Sequence, residues 1–154
     1  TEDELASIAV MAAKSCKNLL QTEPHVAMLS FSTKGSANHR KVSKVVRATK
    51  IVQSKSPEIK IEGELQFDAA ISPEIAKLKA KGSLIAGRAN VMIFPNLDAG
   101  NIGYKITQRL GGAQAIGPIL QGLAKPANDL SRGCSADDVT QMIAVTALQA
   151  NRIQ

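Results

Sequence analysis

Short apolar runs set between amphipathic stretches constrain this chain more than any other feature. Val26-Ala27-Met28-Leu29-Ser30-Phe31 follows Pro24 and is too short for a buried helix, so it reads as a strand covered on both faces. Residues 59–67 and 90–94 give two more strands, the latter stopped by Pro95, and residues 115–120 give a fourth. Between these lie stretches with helical periodicity. Strands alternating with helices imply an α/β fold, a largely parallel sheet flanked by helices and joined by crossover connections.

The helices carry their own signals. Residues 1–20 place Leu5, Ile8, Ala9, Ala12 and Cys16 at helical intervals, behind a Thr1/Glu4 capping pair. Residues 39–54 set Val42, Val45, Val46, Thr49 and Val52 on one side, with Arg40, Lys41, Lys44, Arg47 and Lys50 mostly off that stripe. Ser72-Pro73-Glu74 joins an N-cap, a proline at the first helical position and an acidic first turn. Ile102, Ile106 and Leu110 mark the inner face of a helix that ends at Gly111-Gly112. A last helix begins near Ser135, with Val139, Met142, Ile143, Thr146, Ala147 and Ala150 on one face.

Composition narrows the rest. Aromatics are 3% of 154 residues, with no Trp and Tyr104 the single Tyr, so the core is built from Val, Ile, Leu, Met and Ala. A net charge of +6 attracts anions. The basic residues are dispersed and stacking aromatics nearly absent, so nucleic acid is not the expected partner. No apolar run reaches bilayer length and no signal peptide is evident, which points to a soluble, cytoplasmic protein without membrane contact. The chain opens on Thr1 rather than Met, which suits a fragment or a processed chain, although loss of an initiator Met looks the same. Cys16 and Cys134 are far apart and outside any ligand-spaced motif, so both read as reduced thiols. His25 reads as a loop residue and His39 as a helix start, and no metal site is expected.

Ligands of parallel sheets sit beyond the carboxyl ends of strands, which directs attention to three loops. The first, around Ser32, Thr33, Lys34, Gly35 and Ser36, offers hydroxyls, a cation and backbone donors, and suits either a phosphate or an ordinary helix-leading loop. In the second, residues 95–101, Asn96 or Asp98 suits a helix cap better than a ligand contact. The third runs from Lys125 through Ser131-Arg132-Gly133-Cys134-Ser135 to Asp138. A hydroxyl, a guanidinium fork and a carboxylate converge there, able to bind an oxyanion and accept a proton, while Ser135 and Asp138 also stand near capping-box spacing.

Four stretches together carry a family resemblance: residues 29–36, Glu62-Gly63-Glu64-Leu65-Gln66, residues 93–101, and the long span from Gly117-Pro118 to Ser131-Arg132-Gly133. In this order, over nearly the whole chain, they resemble the C-terminal portion of the phosphate acetyltransferases. The resemblance implies part of a two-lobe fold similar to isocitrate and isopropylmalate dehydrogenases. Residues 1–117 would form the second-lobe α/β region, and residues 118–154 a C-terminal segment returning toward a mostly missing first lobe. It implies reversible acetyl transfer between acetyl phosphate and coenzyme A, with coenzyme A and acetyl-CoA, acetyl phosphate and phosphate as substrates, no tightly bound cofactor, no metal, and a homodimer.

By motif, Ser131 and Arg132 look like the active-site serine and arginine, with Ser32, Thr33 and Lys34 as further substrate-binding residues. Asp138 looks like the catalytic aspartate that helps form the thiolate. An ordinary aspartate near ~3.9 faces a thiol near ~8.5, so burial must raise the acid or cations must lower the thiol. Direct attack by the thiolate in a ternary complex is expected, with no nucleophilic part for Cys134. A phosphate butyryltransferase would share the chemistry with a larger acyl pocket. A non-catalytic regulatory or assembly module, like the related C-terminal region of some malic enzymes, is the other alternative, against which the retention of Ser131, Arg132 and Asp138 argues.

Overall fold

The computed structural model describes residues 1–151. Its centre is strand β1 (His25–Leu29), which pairs in parallel with β2 (Lys60–Leu65) on one side and β3 (Val91–Ile93) on the other, in the order β2-β1-β3. Val26, Ala27, Met28 and Leu29 are all buried, as a strand covered on both faces requires. Alternation then sorts their side chains. Val26 and Met28 face helices α1 (Glu2–Ser15) and α2 (Arg40–Lys55), among Leu5, Ala6, Ala9, Ala13, Val45, Ala48 and Val52. Ala27 and Leu29 face the opposite layer, with Leu65, Ala70, Ala80 and Ile85.

The helix ends follow local chemistry. Thr1 and Glu4 form the expected capping box, the Glu4 amide donating to the Thr1 hydroxyl at 3.2 Å. α1 passes at Cys16–Leu20 into a π-helical turn, and Gln21 ends it in the left-handed region at φ 53°. His39 caps α2 through Nδ1, which accepts from the Lys41 amide at 3.1 Å. Ser72 caps α4 (Pro73–Lys79), with Pro73 in its first turn.

Several expectations are corrected. His25 begins β1 instead of lying in a loop, and its amide donates to Asn90 Oδ1 at 2.7 Å. Strand β2 stops at Leu65, because Phe67 opens the short helix α3 (Phe67–Ile71), where the Asp68 carboxylate accepts from the Ala69 amide. Residues 115–120 form no strand. Pro118 has no amide hydrogen and the Leu120 amide donates to Asn128 Oδ1, so the segment is satisfied by a side chain and not by a sheet neighbour. In α1, Ile8 is exposed while Ala6 and Ala13 are buried.

The two later helices differ most. Helix α5 (Leu97–Arg109) has no buried residue, and the supposed inner positions Ile102, Ile106 and Leu110 are 58%, 53% and 85% exposed. Its glycines take the inner side instead, since a Cβ on Gly103 would stand 2.9 Å from the Phe94 ring. In α6 (Ala136–Ala150) only Met142 of the expected stripe is buried, and Ile143 is exposed.

Strand β2 approaches β1 closely. At Gly63 an added Cβ would stand 2.5 Å from Met28 Cβ and 2.8 Å from Thr49 Oγ1. Both neighbours are buried in the core, so neither has room to yield. Gly63→Ala is expected to lower unfolding stability by about 3 kcal/mol. Gly133→Ala, which meets nothing within 4 Å, is expected to change it by no more than about 0.5 kcal/mol. Parallel urea unfolding of the two variants checks the difference.

Candidate functional site

The loop after β1 is bound tightly into the sheet. Ser32 and Thr33 are buried, at 0% and 4% exposure. The Ser32 hydroxyl donates to Glu64 Oε1 at 2.9 Å and accepts from the Ala37 amide at 3.0 Å. Thr33 Oγ1 accepts from the Gln66 amide at 2.8 Å, and the Thr33 amide donates to Ser36 Oγ at 3.0 Å. Buried hydroxyls need such partners, and here Glu64 of β2, Gln66 just after it and the loop's own Ala37 amide supply them. Lys34 is outside, with Nζ 2.9 Å from Glu62 Oε2.

Glu62 ties that loop to the turn after α4. Besides Lys34, its carboxylate accepts from Ser83 Oγ at 2.6 Å and from the Leu84 amide at 2.8 Å. Burial would raise this carboxyl, but the Ser83, Lys34 and Leu84 hydrogen bonds and the Lys34 charge outweigh it and hold it below the ordinary value. A recess of about 410 Å³ opens beside it, lined by Lys34, Lys79, Lys81 and Ser83 among others. Lys79 is paired with Asp68 at 2.7 Å.

At the second loop Asn96 is the cap, its Oδ1 accepting from the Ala99 amide at 2.9 Å, while Asp98 is exposed. Lys44 Nζ donates to the Pro95 carbonyl and anchors this loop to α2.

The third loop is exposed at Ser131 and Arg132. Ser131 Oγ accepts from the Gly133 amide at 3.3 Å, and the Ser131 carbonyl accepts from the Cys134 amide at 3.0 Å, which turns the chain into α6. Asp138 completes a capping box: its Oδ2 accepts from the Ser135 amide at 2.8 Å and the Ser135 hydroxyl at 2.9 Å. Those two bonds, the backbone one foremost, hold the Asp138 carboxyl below the ordinary aspartate value. Asn128 braces the loop, donating to Thr146 Oγ1 at 2.9 Å and Gln149 Oε1 at 2.6 Å.

Ser131, Arg132 and Asp138 thus share one loop and helix start, whereas Ser32, Thr33 and Lys34 share another. Among the described residues no hydrogen bond or ion pair joins the two groups, and Arg132 forms no ion pair. No three His, Cys, Asp or Glu side chains among the described residues group to hold a metal, and no helix is long and apolar enough to cross a membrane. Sequence reasoning did not assign roles to Glu62, Glu64 and Gln66. The available signal was three polar residues alternating with Ile61, Gly63 and Leu65 along the end of β2 and the residue after it.

A family model described as phosphate acetyl/butaryl transferase matches residues 1–147. The phosphate acetyltransferase of Thermoanaerobacterium thermosaccharolyticum is 62% identical over 148 residues, covering 96% of this chain and 45% of the relative. That of Bacillus subtilis is 56% identical over 147 residues, with the same coverage of 96% and 45%. Among solved structures, a phosphotransacetylase from Streptococcus pyogenes superposes with a TM-score of 0.93 at 55% identity, over 98% of this chain and 46% of its own. A branched-chain phosphotransacylase from Enterococcus faecalis V583 shares the fold, with a TM-score of 0.78 at 24% identity, over 97% of this chain and 54% of its own. The chain spans about half the length of the curated relatives it matches.

The Glu62 link carries a definite pH dependence. Its folded carboxyl binds a proton less readily than the unfolded chain, so its contribution is complete above 4.5 and disappears as pH falls through the lower folded value. The Leu84 amide resonance is expected to stay constant from neutral pH down to 4.5 and to move only below it. In Glu62→Gln that movement should vanish.

Proposed function

The chain belongs to the phosphate acetyl/butaryl transferase family, and we propose that it is the C-terminal portion of a phosphate acetyltransferase, which moves an acetyl group between acetyl phosphate and coenzyme A. The observation that carries this reading is 62% identity to a phosphate acetyltransferase across 96% of the chain. Relatives of that name at 53–62% identity favour acetyl over a larger acyl group.

In the proposed reaction the coenzyme A thiolate attacks the acetyl carbonyl carbon in a ternary complex. A C–S bond forms, the C–O bond to phosphate breaks, and phosphate leaves with the electron pair. Arg132, exposed and free of an ion pair among the described residues, clamps the phosphate and offsets its charge. The Ser131 hydroxyl orients the substrate. Asp138 takes the thiol proton on Oδ1, because both cap bonds end on Oδ2. A carboxyl held low by its cap is a weak base, so the Arg132 charge must acidify the thiol first. Ser32, Thr33 and Lys34 form a second substrate-binding loop.

Residues 1–117 make up a second lobe, and the segment from residue 118 to the last described residue, 151, returns toward a first lobe similar to that of isocitrate and isopropylmalate dehydrogenases. The bare Ile102, Ile106 and Leu110 stripe supports a homodimer through the second lobe. The substrates fit a cytoplasmic enzyme.

Three outcomes test this reading. This chain alone should bind coenzyme A weakly and release little phosphate from acetyl phosphate, and turnover matching the enzyme joined to its N-terminal portion would count against it. In that joined enzyme, Arg132→Ala is expected to lower kcat about 10²- to 10³-fold while Arg40→Ala stays near normal. Asp138→Asn is expected to cost about 10²- to 10⁴-fold in rate with folding intact, and near-normal turnover at every pH would leave Asp138 as a cap alone.

A further inference from the structure

Between Met28 and Leu29 the β1–β2 register shifts: Met28 is opposite Gly63, but Leu29 is opposite Leu65. The extra residue in β2 is Glu64. A bulge of this kind re-aims a side chain, and this one turns a carboxyl only 4% exposed toward the loop after β1. A buried carboxyl is costly unless its oxygens are bonded, so its partners explain its presence.

Glu64 Oε1 accepts two donors, the Ser32 hydroxyl at 2.9 Å and the Gly35 amide at 2.7 Å. The Glu64 carbonyl accepts a third, from the Lys34 amide at 3.2 Å. One residue of β2 therefore holds three of the four residues 32–35. The turn needs holding. Lys34 and Gly35 are successive left-handed residues at φ 48° and 83°, a conformation that is strained for a non-glycine residue such as Lys34.

We propose that Glu64 is the positioning residue of the 32–37 loop, clamping it in the form that presents the Lys34 side chain to the substrate anion. This rests on the reading of that loop as substrate-binding. Glu64 itself touches no substrate. It acts through Ser32 and Gly35, while Glu62 holds the Lys34 ammonium from the same strand.

The test compares Glu64→Ala with Glu64→Gln, whose amide oxygen can still accept both donors. Hydrogen exchange in this chain is expected to quicken at the Gly35 amide by about tenfold or more in Glu64→Ala, with the Val26 and Met28 amides unchanged and Glu64→Gln near normal. Unchanged Gly35 exchange in Glu64→Ala would overturn the proposal, as would an equal loss of protection at Val26, which would assign Glu64 to the core. Glu64→Gln behaving like Glu64→Ala would overturn it too. In the enzyme joined to its N-terminal portion, Glu64→Ala should raise the KM for acetyl phosphate or coenzyme A about tenfold, with kcat less affected, and Glu64→Gln should restore it. A loosened loop with unchanged KM would uphold the clamp and overturn the substrate-binding reading of residues 32–34.

Discussion

The rest of the structure depends on the exclusion of water from both faces of β1. Four consecutive residues, Val26 to Leu29, have almost no accessible surface, and each side chain meets a different layer from its neighbour. Burying Val26, Met28 and Leu29 contributes about 2 kcal/mol apiece, and none of it is realised unless α1 and α2 close one face while α3, α4 and the segment before β3 close the other. With few aromatics available, closure relies on small residues. Ala6, Ala9 and Ala13 of α1 and Ala48 of α2 let the helix backbones lie near the strands, so the core is thin and tightly filled.

The same crowding connects the core to the proposed chemistry. Because Gly63 has no side chain, β2 can lie against Met28 and Thr49, and the next residue is displaced out of register as a bulge. Glu64 is thereby turned from a strand position into the clamp of the neighbouring loop. Glu62 takes up further donors and the Gln66 amide, just past the strand, donates to Thr33 Oγ1, so three polar residues at the end of β2 organise the loop after β1 and the turn after α4. Packing and site geometry are one constraint here.

The third loop is organised on a different principle. Ser131 and Arg132 are exposed and held by local turns, while Asn128 and the Ser135–Asp138 cap secure the loop against α6. The phosphate role proposed for Arg132 benefits from its remaining unpaired, since an internal carboxylate would compete for the same fork. Ile102 and Ile106 of α5 and Ile143 of α6 likewise stay exposed, and do not pack on the small sheet beneath them.

Much of this was readable from residues alone. The order of the first three strands, the Thr1, His39, Ser72, Asn96 and Ser135 caps, and the buried stripe of α2 follow from hydrogen-bonding chemistry and periodicity within a few residues, and such local preferences do not depend on distant contacts. Periodicity also marked Ile102, Ile106 and Leu110 as one face, but it could not say what that face would meet, and within the described residues Phe94 sits against the glycines instead. Residues 115–120 looked like a strand by composition, yet a strand exists only where a neighbour offers a ladder, and Asn128 took that place. The deepest gap concerned Glu64. Its identity was plain in the sequence, but its task arises from a register shift between strands more than thirty residues apart, which is set by the space left at Gly63. Local chemistry therefore determined the elements and their ends, whereas contact between distant segments decided which polar groups lie buried, which apolar faces stay bare, and which loop a strand carboxylate holds.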